Sequence, residues 1–244
     1  MSSLSGRTAV VTGASRGIGG AVADLLANEG VTVAMVARTQ QDLQQRRGQI
    51  AQDGAQPPLA IAADIRTDDG IRTVLDEAIG AFGAPDILVA NAGIGLYASI
   101  VDTSMDDFDD IIATNVRGTY ALVKAFLPAM LERGSGHIVI LASVAGLHGF
   151  ANETAYCTSK FAQVGFAQAL DNEVRERGIK VSCICPGGVN TDFAIGRGRV
   201  SGDPMLEEFM TAEDIAQAVR LAVSTGPNAR ILNVAMRSMR EPVA

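Results

Sequence analysis

Thr12-Gly13-Ala14-Ser15-Arg16-Gly17-Ile18-Gly19 is the stretch whose reading decides the fold. It follows the short apolar run Arg7–Thr12, which has the make-up of a buried strand, and it opens a helical pattern from Ile18 to Asn28. Glycines let the backbone turn sharply and approach a ligand closely. The helix N-terminus adds unpaired N–H groups and the positive end of a dipole. A glycine-rich turn alone marks only a tight turn. With a strand before it and a helix after it, the same turn becomes a candidate pyrophosphate cradle.

Outward from this turn, strand-like runs at Thr32–Ala37, Leu59–Asp64, Asp86–Ala90, His137–Leu141, Lys180–Cys185 and Ile231–Ala235 alternate with helical patterns. Such alternation predicts an α/β fold around a parallel sheet, in which a ligand occupies the crevice beyond the strands' carboxyl ends. The residues that follow each strand are therefore the ones to inspect.

After the second strand, Met35–Gln41 holds no acid but does hold Arg38, and the glycine turn contributes Arg16. An acid there would accept from a ribose 2'-hydroxyl, whereas arginines pair with a 2'-phosphate. The sequence thus favours NADP(H) over NAD(H). The plainer alternative is a solvated Arg38 leading into a helix capped by Thr39. The third strand ends at Asp64, with Ile65 beside it. Asp64 suits either an acceptor for an adenine amino group or a cap for the helix starting near Thr67. The fourth strand runs into Asn91-Ala92-Gly93, a tight turn, and the sixth into Pro186-Gly187-Gly188-Val189-Asn190-Thr191.

A second constellation lies downstream. In the run Tyr156-Cys157-Thr158-Ser159-Lys160, Tyr156 and Lys160 project from one face if the segment is helical. A free phenol titrates near about 10, and an ammonium held close would favour the phenolate and make the hydroxyl a proton donor near neutral pH. An isolated Tyr-x-x-x-Lys is usually a surface pair. Ser143, delivered by the fifth strand, and the glycine turn together change that reading. The long helical stretch Met105–Leu131 contains Asn115, a residue that competes for backbone hydrogen bonds. Taken alone, it reads as a mildly destabilising surface residue.

Composition narrows the class. A chain of 244 residues with no linker, repeat or low-complexity tract is expected to form one domain, 1–244. A net charge of -7 argues against a nucleic-acid or anionic-membrane surface. No apolar run approaches the roughly 20 residues of a membrane span, and Met1–Arg7 is too short and polar for a signal peptide. A soluble cytoplasmic protein is the expectation. Three cysteines, Cys157, Cys183 and Cys185, make no disulfide framework. Cys183 and Cys185 share one strand face, but no other ligands complete a metal site, so no metal is expected.

With these residues in order, the chain resembles the short-chain dehydrogenases/reductases over essentially its whole length. The resemblance is carried by Thr12–Gly19, Asp64, Asn91–Gly93, Asn115, Ser143, Tyr156-x-x-x-Lys160 and Pro186-Gly187. It implies a Rossmann-type, doubly wound, mostly parallel sheet of about seven strands. It implies that Tyr156 is the general acid or base, that Ser143 binds the substrate oxygen, and that Lys160 lowers the Tyr156 pKa and holds the nicotinamide ribose. By the same resemblance Asn115 would hold a proton-relaying water, Thr191 would bind the carboxamide, and Asp64 would be the adenine contact. The cofactor set it implies is Gly13, Ser15, Arg16, Gly17, Ile18, Gly19, Arg38, Asp64, Ile65, Asn91, Ala92, Gly93, Tyr156, Lys160, Pro186, Gly187, Val189 and Thr191.

The implied reaction is hydride transfer between NADP(H) and a small-molecule carbonyl or secondary alcohol, with the 3-oxoacyl-carrier-protein reductases as a near comparison. The alternatives are an NAD-dependent hydroxysteroid-type alcohol dehydrogenase and a dinucleotide-binding redox sensor. A homotetramer is expected, or else a dimer, through the helices near 106–131 and 156–177. Residues 192–209 correspond to the family's mobile substrate lid, and Arg197 and Arg199 within it could meet an acidic carrier protein or simply face solvent. The run Met236–Arg240 departs from the family's usual glycine-containing turn after the last strand.

Overall fold

The computed structural model describes residues 2–241. Seven strands form one sheet: β1 (Thr8–Thr12), β2 (Thr32–Ala37), β3 (Leu59–Ala62), β4 (Ile87–Ala90), β5 (Gly136–Leu141), β6 (Ile179–Pro186) and β7 (Asn233–Met236). Their order is β3-β2-β1-β4-β5-β6-β7, and every neighbouring pair is parallel. The helices are α1 (Gly17–Asn28), α2 (Gln40–Gln52), α3 (Asp68–Phe82), α4 (Met105–Ile111), α5 (Thr119–Arg133), α6 (Thr154–Val174) and α7 (Ala212–Val223).

The two-residue period of a strand sorts side chains onto opposite faces. Ala9 and Val11 of β1 pack with α1, α2 and α7, while Val10 between them joins α3, α5 and α6 on the other side. All three are fully buried. A one-residue slip would exchange the two faces and break the fitted packing of both layers. Register is fixed in this way, and the carboxyl ends of β1, β4, β5 and β6 are brought to one edge.

Several boundaries differ from the sequence reading for local reasons. The third strand ends at Ala62 because Asp64 leaves the sheet to bind Arg66. Thr67 caps α3, its Oγ1 accepting from Gly70 N at 3.0 Å, so Asp64 is not the cap. Thr39 stands at the N-cap of α2 but makes no side-chain capping bond. The long helix through Asn115 is not uniform, since Ile112–Gly118 is a π-helical segment between α4 and α5. The last strand starts two residues late, at Asn233.

Cys183 and Cys185 lie buried with their sulfurs 3.7 Å apart. Among the described residues no group of His, Cys, Asp and Glu could hold a metal ion. Among the same residues no helix is long and apolar enough to cross a membrane. The segment after β7 folds back onto the turn that follows β6. There the Glu241 carboxylate accepts from Gly188 N and Ser238 N, each at 3.0 Å.

Candidate active site

The glycine turn is shaped by what a side chain would strike. Gly13 and Gly17 have φ of +66° and +55°, in the left-handed region that favours glycine. A Cβ on Gly13 would lie 2.8 Å from Asn91 Nδ2 and 3.0 Å from Ala92 Cα. Thr12, at the end of β1 and the start of the glycine motif, ties this turn to the next. Its Oγ1 accepts from Asn91 N (3.0 Å) and Ala92 N (3.1 Å), and Asn91 Nδ2 donates to Thr12 O (2.8 Å). The β1 and β4 turns are thereby one rigid unit.

A cavity of about 1050 Å³ runs along the carboxyl edge of the sheet. Of the residues proposed from the sequence, Gly13, Ser15, Arg16, Gly17, Ile18, Arg38, Asp64, Ile65, Asn91, Ala92 and Gly93 line it. Ser143, Tyr156, Lys160, Pro186, Gly187, Val189 and Thr191 line it as well. Two of the proposed residues lie elsewhere. Gly19 does not face the cavity: it lets α1 pack on the β4 turn, and a Cβ there would lie 2.4 Å from both Asn91 Nδ2 and Gly13 O. Asn115 is fully buried behind the wall, where its Oδ1 accepts from Ile94 N (2.9 Å) and its Nδ2 donates to Ile94 O (2.9 Å) and Ser159 Oγ (3.0 Å). It is a positioning residue that fastens the β4 loop to α6, and the π-helical segment around it accommodates this role.

The cavity fits a dinucleotide. The bare Gly17 backbone faces Thr191 across the cavity, and the Thr191 Cγ2 would be 3.5 Å from an added Cβ. Arg16 and Arg38 on its rim are exposed and form no ion pair with a described residue. Asp64 is held differently from expectation. Its carboxylate accepts from Arg66 N (3.0 Å), Nε (2.9 and 3.0 Å) and Nη2 (2.6 Å), and these bonds hold its pKa below the usual range. Arg66, which the sequence reading passed over, takes most of the acceptor capacity that an adenine amino group would use. Asp42, directly after the acid-free run Met35–Gln41, also lines the cavity.

At the other end, Tyr156 is buried between Tyr97 and Phe193, with ring centroids 6.3 and 5.7 Å away. Ser143 Oγ donates to Pro186 O (3.2 Å) and accepts from Ala145 N (3.1 Å). Burial pushes the Tyr156 phenol above its ordinary value, with a hydrogen bond from Ser143 acting the other way. Lys160, expected to lower that pKa, is hydrogen-bonded to other groups. Its Nζ donates to Leu141 O (3.0 Å) and Gln163 Oε1 (2.7 Å), 5.6 Å from the Tyr156 ring centroid. Desolvation brings the Lys160 amine down to about 8.

The lid segment 192–209 is anchored rather than loose. Tyr97 N donates to Arg197 O (2.9 Å), and Arg197 Nη2 pairs with Asp107 of α4 at 2.8 Å. Gly95 and Gly188 admit the rings of Phe193 and Phe209, which a Cβ would meet at 2.7 Å in each case.

A parallel sheet with this strand order, a glycine cradle at its edge and a Tyr-Ser-Lys set in one cavity define a dinucleotide-dependent oxidoreductase. The chain belongs to the short chain dehydrogenase family, whose pattern matches residues 7–199. An uncharacterized oxidoreductase of Staphylococcus aureus is 33% identical over 97% of this chain and 99% of its own length. A metagenomic short-chain oxidoreductase in complex with NADP superimposes with a TM-score of 0.84 at 32% identity, covering 98% of this chain and 100% of that one. An alcohol dehydrogenase from Thermococcus sibiricus, complexed with 5-hydroxy-NADP, has a TM-score of 0.89 at 27% identity, covering 98% and 99%.

Proposed function

We propose that this chain is an NADP(H)-dependent reductase/dehydrogenase acting on a ketone or secondary alcohol. The observation that carries the reading is that Ser143, Tyr156 and Lys160 share one cavity with the glycine cradle. NADP(H) would supply or accept the hydride. The turns at 13–19, 91–93 and 186–191 would hold it, with Arg16 and Arg38 facing the 2'-phosphate and Asp64 and Ile65 bordering the adenine.

The chain's own part is proton handling. A phenol kept protonated by burial is the donor form, so Tyr156 Oη can give its proton to the substrate oxygen in the reducing direction. Ser143 Oγ, on leaving Pro186 O, would hydrogen-bond that same oxygen and stabilise the charge developing on it. Lys160 Nζ, with a pKa of about 8, is matched to return a proton to the phenolate near neutral pH.

The whole of 1–244 would act as one catalytic unit with 192–209 closing over the substrate. The assembly would be a cytoplasmic homo-oligomer, a tetramer before a dimer. Half-exposed Tyr120 of α5 and Phe161 of α6 support an interface on those helices. One observation favours a second reading: Asp42 on the cavity wall could accept from a ribose 2'-hydroxyl and select NAD(H).

The deciding experiment measures dissociation constants for NADPH and NADH side by side, in the native chain and in Arg38→Asp, and turnover in Tyr156→Phe. Tighter NADPH, reversed by Arg38→Asp, supports the arginine assignment. Equal or tighter NADH moves the assignment to Asp42. Loss of turnover in Tyr156→Phe with dinucleotide binding intact separates an enzyme from a redox sensor.

A further inference from the structure

Arg199 is set apart from the other cations of the cavity. Arg16 and Arg38 lie on the glycine-cradle side, Lys160 is committed to Leu141 O and Gln163, and Arg197 is neutralised by Asp107. Arg199, on the lid, is surrounded by three aromatic rings. Its guanidinium carbon lies 5.4 Å from the Tyr97 ring, 5.4 Å from Phe209 and 6.0 Å from Phe193. Tyr97 and Phe193 are also the two rings that flank Tyr156. The cation is therefore one ring removed from the phenol on either side.

Cation–π attraction to the rings does not use up the guanidinium's N–H donors. Part of that donor set is engaged, since Nη1 donates to Val189 O at 3.2 Å and the group lies against the Tyr97 hydroxyl. No carboxylate of a described residue forms an ion pair with it. Glu153, which feels the charge of Arg199, also lines the cavity. A caged, partly desolvated cation that no described carboxylate meets at ion-pair distance, facing a substrate cavity, is an anion receptor, and a planar carboxylate is the partner that matches its fork.

We infer that Arg199, held between Tyr97, Phe193 and Phe209 beside Tyr156, binds a carboxylate on the substrate, so that the physiological substrate is a short hydroxy acid or its oxo acid. This deepens the function proposed above and rests on it. The carboxylate would seat on Arg199 while the carbonyl or carbinol oxygen meets Tyr156 and Ser143. The substrate spans the distance between the two sites, which calls for a carboxylate separated by a short chain from the reacting carbon.

The test is calorimetric titration of 3-hydroxybutyrate and of its uncharged amide into the protein with NADP present, in the native chain, Arg199→Met and Arg199→Lys. Turnover of both ligands, and of a neutral ketone, is followed in parallel. The expected result is that the acid binds more tightly than the amide and that Arg199→Met weakens the acid at least about thirtyfold. In the same variant the amide, the neutral ketone and dinucleotide binding stay within about threefold, and Arg199→Lys recovers part of the loss. Acid and amide binding equally, or Arg199→Met leaving their ratio unchanged, overturns the inference while the oxidoreductase reading stands. Selective acid binding through Arg199 with no turnover of any alcohol or ketone would keep the carboxylate site and remove the proposed function.

Discussion

Lys160 Nζ donates a 2.7 Å hydrogen bond to Gln163 Oε1, about two turns further along α6 from Tyr156, while lying 5.6 Å from the centre of the Tyr156 ring it was expected to activate. Gln163 is itself fixed, with Nε2 donating to Thr119 Oγ1 at 2.9 Å. Replacing Gln163 by Met leaves Lys160 with Leu141 O alone and frees it to swing towards Tyr156. The basic limb of the kcat/KM profile is expected to move to lower pH, with a stability loss of about 1–3 kcal/mol from the unpaired Thr119 hydroxyl. An unmoved limb would show that Gln163 does not govern the pair.

Gly19→Ala tests the packing of α1 on the β4 turn. The new Cβ would stand 2.4 Å from Asn91 Nδ2 and from Gly13 O, and the latter is backbone that cannot rotate away. A loss of about 1–3 kcal/mol in unfolding free energy is expected, together with weakened dinucleotide binding. Native binding in a destabilised variant would mean that the cradle tolerates the shift.

His137 is buried with Nε2 2.8 Å from Ser182 Oγ, and desolvation, reinforced by the charges of Lys180 and Arg7, lowers its pKa from 6.5 to about 3. The unfolded chain binds a proton here before the folded one does. This site's contribution to stability is therefore complete above pH 6.5 and is lost as pH falls from 6.5 towards 3. Thermal melts should decline over that window, and His137→Asn should flatten the decline. An identical acid profile in the variant would place the sensitivity elsewhere.

Glu153 runs the other way. Burial raises its carboxyl from 4.5 to about 7 despite the opposing charge of Arg199. The folded chain holds this proton more tightly than the unfolded one, so stability present below pH 4.5 declines as pH rises to about 7. Glu153→Gln should gain melting temperature over the native chain at pH 8 and gain little at pH 4. A gain of the same size at both values would indicate a packing effect instead.

Much of the site was legible because its residues follow strands or glycines, whose local signals are strong. Thr12–Gly19, Asn91–Gly93, Ser143 and Pro186–Thr191 all sit at strand ends, and all but Gly19 among the cofactor residues so placed line the cavity. What escaped were relations between distant segments. Arg66 reads as a helix-entry residue until it is seen across the Asp64 carboxylate. Asp42 looks like a helix-dipole acid until α2 brings it to the cavity rim. Arg197 and Arg199 are indistinguishable in sequence, yet one meets Asp107 and the other three aromatic rings.

By itself the sequence determined the class of fold, the cofactor edge and the identity of the Ser-Tyr-Lys set. The first two follow from short-range periodicity and from glycine's conformational freedom, and the third from the family resemblance that Ser143 and Tyr156-x-x-x-Lys160 carry. Only the tertiary structure decided the electrostatic state of that set and the character of the substrate cavity. Those depend on desolvation and on which side chains meet across the sheet edge, so the same Lys160 is an activating neighbour of Tyr156 or a partner of Gln163 according to how α5, α6 and β5 pack around it.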